Sequence, residues 1–148
     1  MSNVVRASID IAAPPEKVLD VMLDPGRLGD WVTIHRRVDK HSSGGPSEGY
    51  EMDQTLCLRH ANFKVHWTLA EYTPGRRAVW EGRGPAHSHA RTAYAVKAKG
   101  DGCVVEYENE FKAPGGFLGA AASRALMGGV PEREALKSLE QLKELMES

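Results

Sequence analysis

The chain has 148 residues, a formal net charge of −1, 41% hydrophobic residues and 26% charged residues. These values are typical of a globular domain and exclude collagen-like, low-complexity and mainly disordered chains. The near-neutral charge gives no electrostatic reason to expect a nucleic-acid partner. No apolar run approaches the roughly 20 residues that span a bilayer. We therefore expect one globular unit over residues 1–148, with no nucleic acid and no transmembrane segment.

Cysteine content and the start of the chain indicate the compartment. Cys57 and Cys103 are too few for a disulfide scaffold or a four-thiolate zinc site. Residues Met1 to Asp10 lack the charged start and apolar block of a secretory signal. We expect a cytoplasmic protein without metal or cofactor.

The first predicted elements are a strand and a pair of short helices. Residues Val5 to Ile11 alternate between apolar and polar side chains, which is typical of a half-buried strand. Pro14 opens a helix, because proline loses nothing in a first helical turn. Pro25 ends that helix by Asp24, and residues 27–31 form a second short turn.

The middle of the chain predicts about six further strands. They cover Val32 to Val38, Tyr50 to Leu58, Phe63 to Leu69, Arg77 to Gly82, His87 to Ala98 and Val105 to Phe111. Pro74-Gly75 and Gly100-Asp101-Gly102 are turn signals. Consecutive strands joined by short turns favour an antiparallel sheet.

The C-terminal part predicts a long helix after a segment of small residues. Glu132 to Met146 is helical, and we expect Leu136, Leu139, Leu142 and Met146 to share one apolar stripe. Residues 115–129 are rich in glycine and alanine, opposite large aromatic side chains of the sheet. This mismatch predicts an internal cavity that holds a small apolar ligand. Close helix–sheet contact around a solid core is the alternative, and the pattern leaves both open.

Several segments together resemble the START-like (SRPBCC) superfamily, which includes polyketide cyclase/dehydrase-type and lipid-transfer domains. They are the strand Val5 to Ile11 with the helix start Ala13 to Val18, the turn Tyr72 to Arg76, the hairpin Lys99 to Gly102 and the C-terminal helix. The resemblance covers essentially the whole chain. It implies an α+β helix-grip fold, with a curved antiparallel sheet of about seven strands around a long C-terminal helix and two short helices after the first strand. It also implies a deep cavity for a hydrophobic ligand, but no shared catalytic residue.

The candidate ligand-binding residues lie mostly on the apolar faces of the predicted strands. They are Trp31, Gln54, Leu56, Val65, Trp67, Trp80, Tyr107, Asn109, Phe111, Phe117 and Ala121. Gln54 and Asn109 stand out because a buried amide needs a hydrogen-bond partner, which a ligand, water or the backbone would provide.

Two further sets of residues have chemistry of their own. His87 and His89 form an H-x-H pair on a predicted strand, and imidazoles on one face suit metal binding or proton transfer. The alternative is a pair of solvated histidines, since the spacing provides no third ligand. Arg59 and Arg91 suit an acidic ligand head or a polarised carbonyl, unless they lie on the outer face of the sheet.

Three functions follow from this interpretation. The first is binding or transport of a small hydrophobic ligand, such as a lipid, a quinone or a polyketide-like molecule. The second is a polyketide cyclase or dehydratase that uses the same cavity. The third is a protein-interaction module of the chaperone-activator type, which would need an exposed apolar patch and a closed interior. We expect a small hydrophobic molecule as partner, bound by a monomer or a homodimer.

Overall fold

Seven strands, three α-helices and two 3₁₀ turns make up the described part of the chain. The computed structural model describes residues 3–58, 60–112 and 130–148. The strands are β1 (Asn3–Ile11), β2 (His35–His41), β3 (Glu51–Leu58), β4 (Ala61–Thr73), β5 (Arg77–Arg83), β6 (His89–Lys99) and β7 (Gly102–Lys112). The helices are α1 (Pro15–Leu23), α2 (Leu28–Trp31) and α3 (Val130–Glu147), and the 3₁₀ turns are Pro25–Arg27 and Pro85–His87.

One antiparallel sheet contains all seven strands in the order β1-β7-β6-β5-β4-β3-β2. Strands β2 to β7 form a meander, and the first strand closes the other edge by pairing with the last, with Ala7 opposite Tyr107. A sheet of this size twists and curves, and α1, α2 and α3 pack on its inner side. The predicted helix-grip fold is therefore confirmed.

The turn at residues 73–76 and the start of α1 form as the sequence predicts. Gly75 has a φ of +70°, the left-handed conformation that favours glycine. Pro15 is in the first turn of α1, where its missing N–H leaves no bond unmade. The predicted strand from Val32 is wrong at its start, because the Val32 N–H bonds to the Leu28 carbonyl and caps α2. β2 begins three residues later.

The buried stripe of α3 differs from the predicted one. Leu139 and Leu142 are buried as expected, but Leu136 is 47% exposed and Ala135 and Ser138 are buried in its place. A step of three residues turns back about 60° around a helix axis. Leu136 therefore lies about 120° from Leu142 and leaves the face that packs on the sheet.

Four hydrogen bonds attach α3 to the N-terminal part of the chain, and two of them join Thr33 to Ser138. The Thr33 N–H donates to Ser138 Oγ over 3.1 Å, which satisfies the buried serine. Near the end of the helix, Lys143 Nζ donates to the Asp10 carbonyl over 2.8 Å. The Ala12 N–H donates to Glu147 Oε2, also over 2.8 Å. These bonds hold the middle and the C-terminal end of the helix against the N-terminal part of the chain.

Candidate functional site

A cavity of about 500 Å³ lies between the inner face of the sheet and the helices. Met22 of α1, Trp31 of α2 and Leu139 of α3 line it on the helix side, and Trp67 and Trp80 line it on the sheet side. Small-molecule sites commonly occupy about 300–1,000 Å³ and are mostly apolar. Of the two alternatives that the sequence left open, the structure contains the cavity and not the solid core.

Nine of the eleven candidate ligand-binding residues lie around this cavity. They are Trp31, Gln54, Leu56, Val65, Trp67, Trp80, Tyr107, Asn109 and Phe111. Phe117 and Ala121 lie outside the described residues, as does the small-residue segment 115–129. Contact of these side chains with a ligand stays a prediction.

Gly82 allows Trp67 to form part of the cavity wall. The two residues are opposite each other in the β4–β5 pairing. A Cβ atom added at Gly82 would lie 2.7 Å from the Trp67 ring, a distance that such atoms essentially never show. The missing side chain therefore gives the indole space to pack against β5.

Gln54 is the centre of a chain of side-chain hydrogen bonds at the wall. Trp67 Nε1 donates to Gln54 Oε1 over 2.9 Å, and Gln54 Nε2 lies 2.8 Å from His35 Nδ1. An indole N–H can only donate, so Gln54 Oε1 accepts and its NH₂ group must donate to His35 Nδ1. His35 is then a neutral imidazole with its proton on Nε2. Burial lowers the pKa of His35, in agreement with this neutral form.

Asn109 also bonds to a side chain. Thr92 Oγ1 donates to Asn109 Oδ1 over 2.9 Å, and both residues line the cavity. The sequence predicted that both amides need a partner, but it named a ligand, water or backbone. The partners of Gln54 and Asn109 are side chains from neighbouring strands.

An aromatic cluster forms another part of the wall. The rings of Trp31 and Tyr94 meet edge to face at 6.1 Å between centroids, and Tyr94 stacks on Tyr107 at 6.0 Å. Sequence reasoning missed Tyr94. The signal was present, because Ala90, Thr92, Tyr94 and Val96 alternate along β6 in register with the apolar positions of β7.

The ionisable side chains that line the described part of the cavity are His89 and Glu134. Arg91 pairs with Glu71 at 3.5 Å and does not line the cavity, so of its two alternatives the position on the outer face of the sheet is the one observed. Arg59 lies outside the described residues.

The predicted strand position of the H-x-H pair is wrong. His87 ends a 3₁₀ turn with a φ of +66°, whereas His89 begins β6. The two imidazoles therefore do not follow strand alternation. Within residues 3–58, 60–112 and 130–148, no group of three or more His, Cys, Asp or Glu side chains is placed to hold a metal ion. Across the same ranges, no helix is long and apolar enough to cross a membrane.

A helix-grip sheet around an apolar cavity is an architecture suited to small-molecule binding. Residues 3–147 match the family described as "Polyketide cyclase / dehydrase and lipid transport". The chain belongs to this family, which supports a ligand-binding or cyclase role.

Relatives of known sequence include two proteins of Mycobacterium tuberculosis. The uncharacterized protein Rv1546 is 25% identical over 143 residues, which are 95% of this chain and 96% of the relative. The protein named toxin Rv0910 is 25% identical over 126 residues, 82% of this chain and 88% of the relative.

Similar solved structures support the fold. Protein CV1439 from Chromobacterium violaceum has a TM-score of 0.74 and 21% identity, covering 99% of this chain and 98% of that one. The Zhui aromatase/cyclase from Streptomyces sp. R1128 has a TM-score of 0.73 and 15% identity, covering 99% and 94%. At these identities the likeness shows a shared fold.

Proposed function

We propose that the protein binds and carries a small, largely apolar molecule in its internal cavity. The observation that carries this proposal is the cavity of about 500 Å³ between sheet and helices. Each Å² of apolar surface moved from water into such a site contributes about 25 cal/mol, before the costs of association. Lipids, quinones and polyketide-like molecules have suitable chemistry.

The same proposal extends to the contacts and the compartment. Trp67, Trp80 and Phe111 would cover the apolar body of the ligand, because aromatic side chains bury large areas with few rotatable bonds. Both cysteines are free thiols, Cys57 partly exposed and Cys103 buried, and free thiols suit a reducing cytoplasm.

A polyketide cyclase or dehydratase is the second candidate. It is favoured by His89 and Glu134, ionisable groups that line the same cavity and are of the types used for proton transfer. A protein-interaction module has less support, because that function required a closed interior and the protein has a cavity of about 500 Å³.

Substitution of Ala135 tests the proposed site. Ala135 is buried on α3 and lines the cavity, whereas its neighbour Leu136 is exposed. We expect Ala135→Phe to fill part of the cavity and to weaken the binding of an apolar fluorescent dye at least tenfold. The matched variant Leu136→Phe introduces the same ring on the outer side of the helix and should bind the dye like the unsubstituted protein.

The natural ligand is sought by extraction of the purified protein with organic solvent and mass spectrometry of the extract. We expect a bound hydrophobic molecule that is depleted from Ala135→Phe and retained by Leu136→Phe. A clean extract, together with no dye uptake by the unsubstituted protein, would overturn carriage. Equal dye affinity in both folded variants would show that binding takes place elsewhere.

A further inference from the structure

Two tyrosine hydroxyls, those of Tyr94 and Tyr107, lie at the cavity without a hydrogen bond to the described residues. We propose that the Tyr94–Tyr107 pair is the polar anchor of the site and donates hydrogen bonds to a neutral oxygen of the ligand, such as a ketone, quinone or phenol oxygen. This inference rests on the proposed function, and it defines the ligand as an oxygenated aromatic or polycyclic molecule.

The register of the sheet places the two tyrosines side by side. Tyr94 of β6 is directly opposite Tyr107 of β7, and both residues line the cavity. In an antiparallel pair of strands, residues directly opposite each other have Cβ atoms about 4.5–5.5 Å apart. The rings stack with an angle of 28° between their planes, so both phenols extend from the inner face of the sheet in a similar direction.

Neither hydroxyl has a hydrogen-bond partner within the described residues. Gln54, Thr92 and Asn109 of the same face differ in this respect, since each of them bonds to a side chain of a neighbouring strand. Trp31 Nε1 also lacks a partner but is sealed by packed atoms. The two hydroxyls are not sealed in this way. A ligand that displaces water from the cavity would leave these hydroxyls without a partner, at a cost in free energy, unless it supplies an acceptor oxygen.

The protonation state of the pair suits donation. Burial raises the pKa of Tyr107 to about 12. Burial also raises the pKa of Tyr94 well above its ordinary value, and the neighbouring Tyr107 adds to the effect. Both phenols therefore keep their protons at neutral pH. Two adjacent O–H donors match the two lone pairs of one carbonyl oxygen.

The test compares two planar probes that differ by one oxygen, fluorene and 9-fluorenone. Binding of each probe is measured by quenching of tryptophan fluorescence in the unsubstituted protein, in Tyr94→Phe, in Tyr107→Phe and in the double variant. Tyr72→Phe is the matched control, because Tyr72 packs against the core but does not line the cavity. Phenylalanine keeps the ring, so the variants are expected to fold.

We expect each cavity variant to lose about three- to tenfold in fluorenone affinity, the effect of one neutral hydrogen bond, with fluorene affinity unchanged. The carbonyl stretching band of bound fluorenone should lie at lower frequency in the unsubstituted protein than in the double variant. Tyr72→Phe should change neither readout. Equal losses for both probes, or an unshifted carbonyl band, would overturn the anchor while leaving carriage intact. Failure of both probes to bind the unsubstituted protein would overturn carriage and the anchor with it.

Discussion

Gln54 shows at the residue scale how a buried polar group is satisfied. Its position on the apolar face of β3 follows from alternation, so the need for a partner was predictable. The partners were not, because Trp67 is on β4 and His35 on β2, and only the pairing of three strands places them beside Gln54. One amide thereby determines both the orientation of the Trp67 indole and the neutral form of His35.

Substitution of this glutamine should therefore be costly. Gln54→Leu removes both bonds and leaves the buried Trp67 N–H unsatisfied, which should lower the free energy of unfolding by about 1–3 kcal/mol. Urea unfolding monitored by tryptophan fluorescence measures the change. The control Gln141→Leu makes the same substitution on the exposed side of α3, and should stay within about 0.5 kcal/mol. If Gln54→Leu were as stable as this control, the hydrogen bonds from Gln54 to Trp67 and His35 would not stabilise the fold.

His66 predicts a pH dependence of stability. Its Nδ1 bonds to Asp53 and its Nε2 lies 3.2 Å from Glu51, on the outer face of the sheet. The hydrogen bond to Asp53, with a smaller contribution from Glu51, raises the pKa of His66 above 6.5. A group with a raised folded-state pKa stabilises fully below its unfolded value, and loses that contribution as pH rises through the folded value.

Thermal unfolding near pH 6 and near pH 9 tests this dependence. We expect the midpoint difference between the unsubstituted protein and His66→Gln to be larger near pH 6 than near pH 9. The same comparison in an Asp53→Asn background should show a smaller dependence, because the main bond is removed. A difference that is identical at both pH values would contradict a charged His66 pair.

At the element scale, the residue pattern predicted which helices and strands are present better than it predicted their buried faces and their boundaries. The C-terminal helix was predictable from its residues, but a three-residue leucine spacing pointed to the wrong edge of the stripe, and contact with the sheet selected Ala135 and Ser138. The segment before β6 shows the same limit. The spacing of His87 and His89 suits strand alternation. Pro85 nevertheless starts a 3₁₀ turn, in which the Ser88 N–H donates to the Pro85 carbonyl.

Two leucines on α3 provide a direct measure of this stripe. Leu139→Ala should lower the free energy of unfolding by about 2–5 kcal/mol, because Leu139 is 1% exposed and lies in the core. Leu136→Ala changes the same side chain on the exposed face and should cost about 0.5 kcal/mol or less. Chemical denaturation of both variants gives the comparison. Equal losses would mean that α3 packs with the face that the leucine spacing suggested.

On the scale of the whole molecule, the cavity depends on how the layers meet. The first strand pairs with the last, which brings β1 under α3 and encloses the space beside Tyr94 and Tyr107. Apolar side chains from helices and sheet face this space but do not fill it. Such a space costs packing energy in the empty protein, and a ligand that fills it would recover part of that energy.

The sequence by itself determined the strand alternation, the proline-bounded helices, the turn at Gly75 and the residue types of the inner face, because these depend on neighbours within a few positions. Resemblance to a known superfamily supplied the arrangement of the strands around the helix. Only the tertiary structure decided that the core is hollow, that Gln54 bonds to Trp67, and that Arg91 faces outward. Those outcomes depend on register, sheet curvature and the rotation of α3, which bring together residues that are distant along the chain.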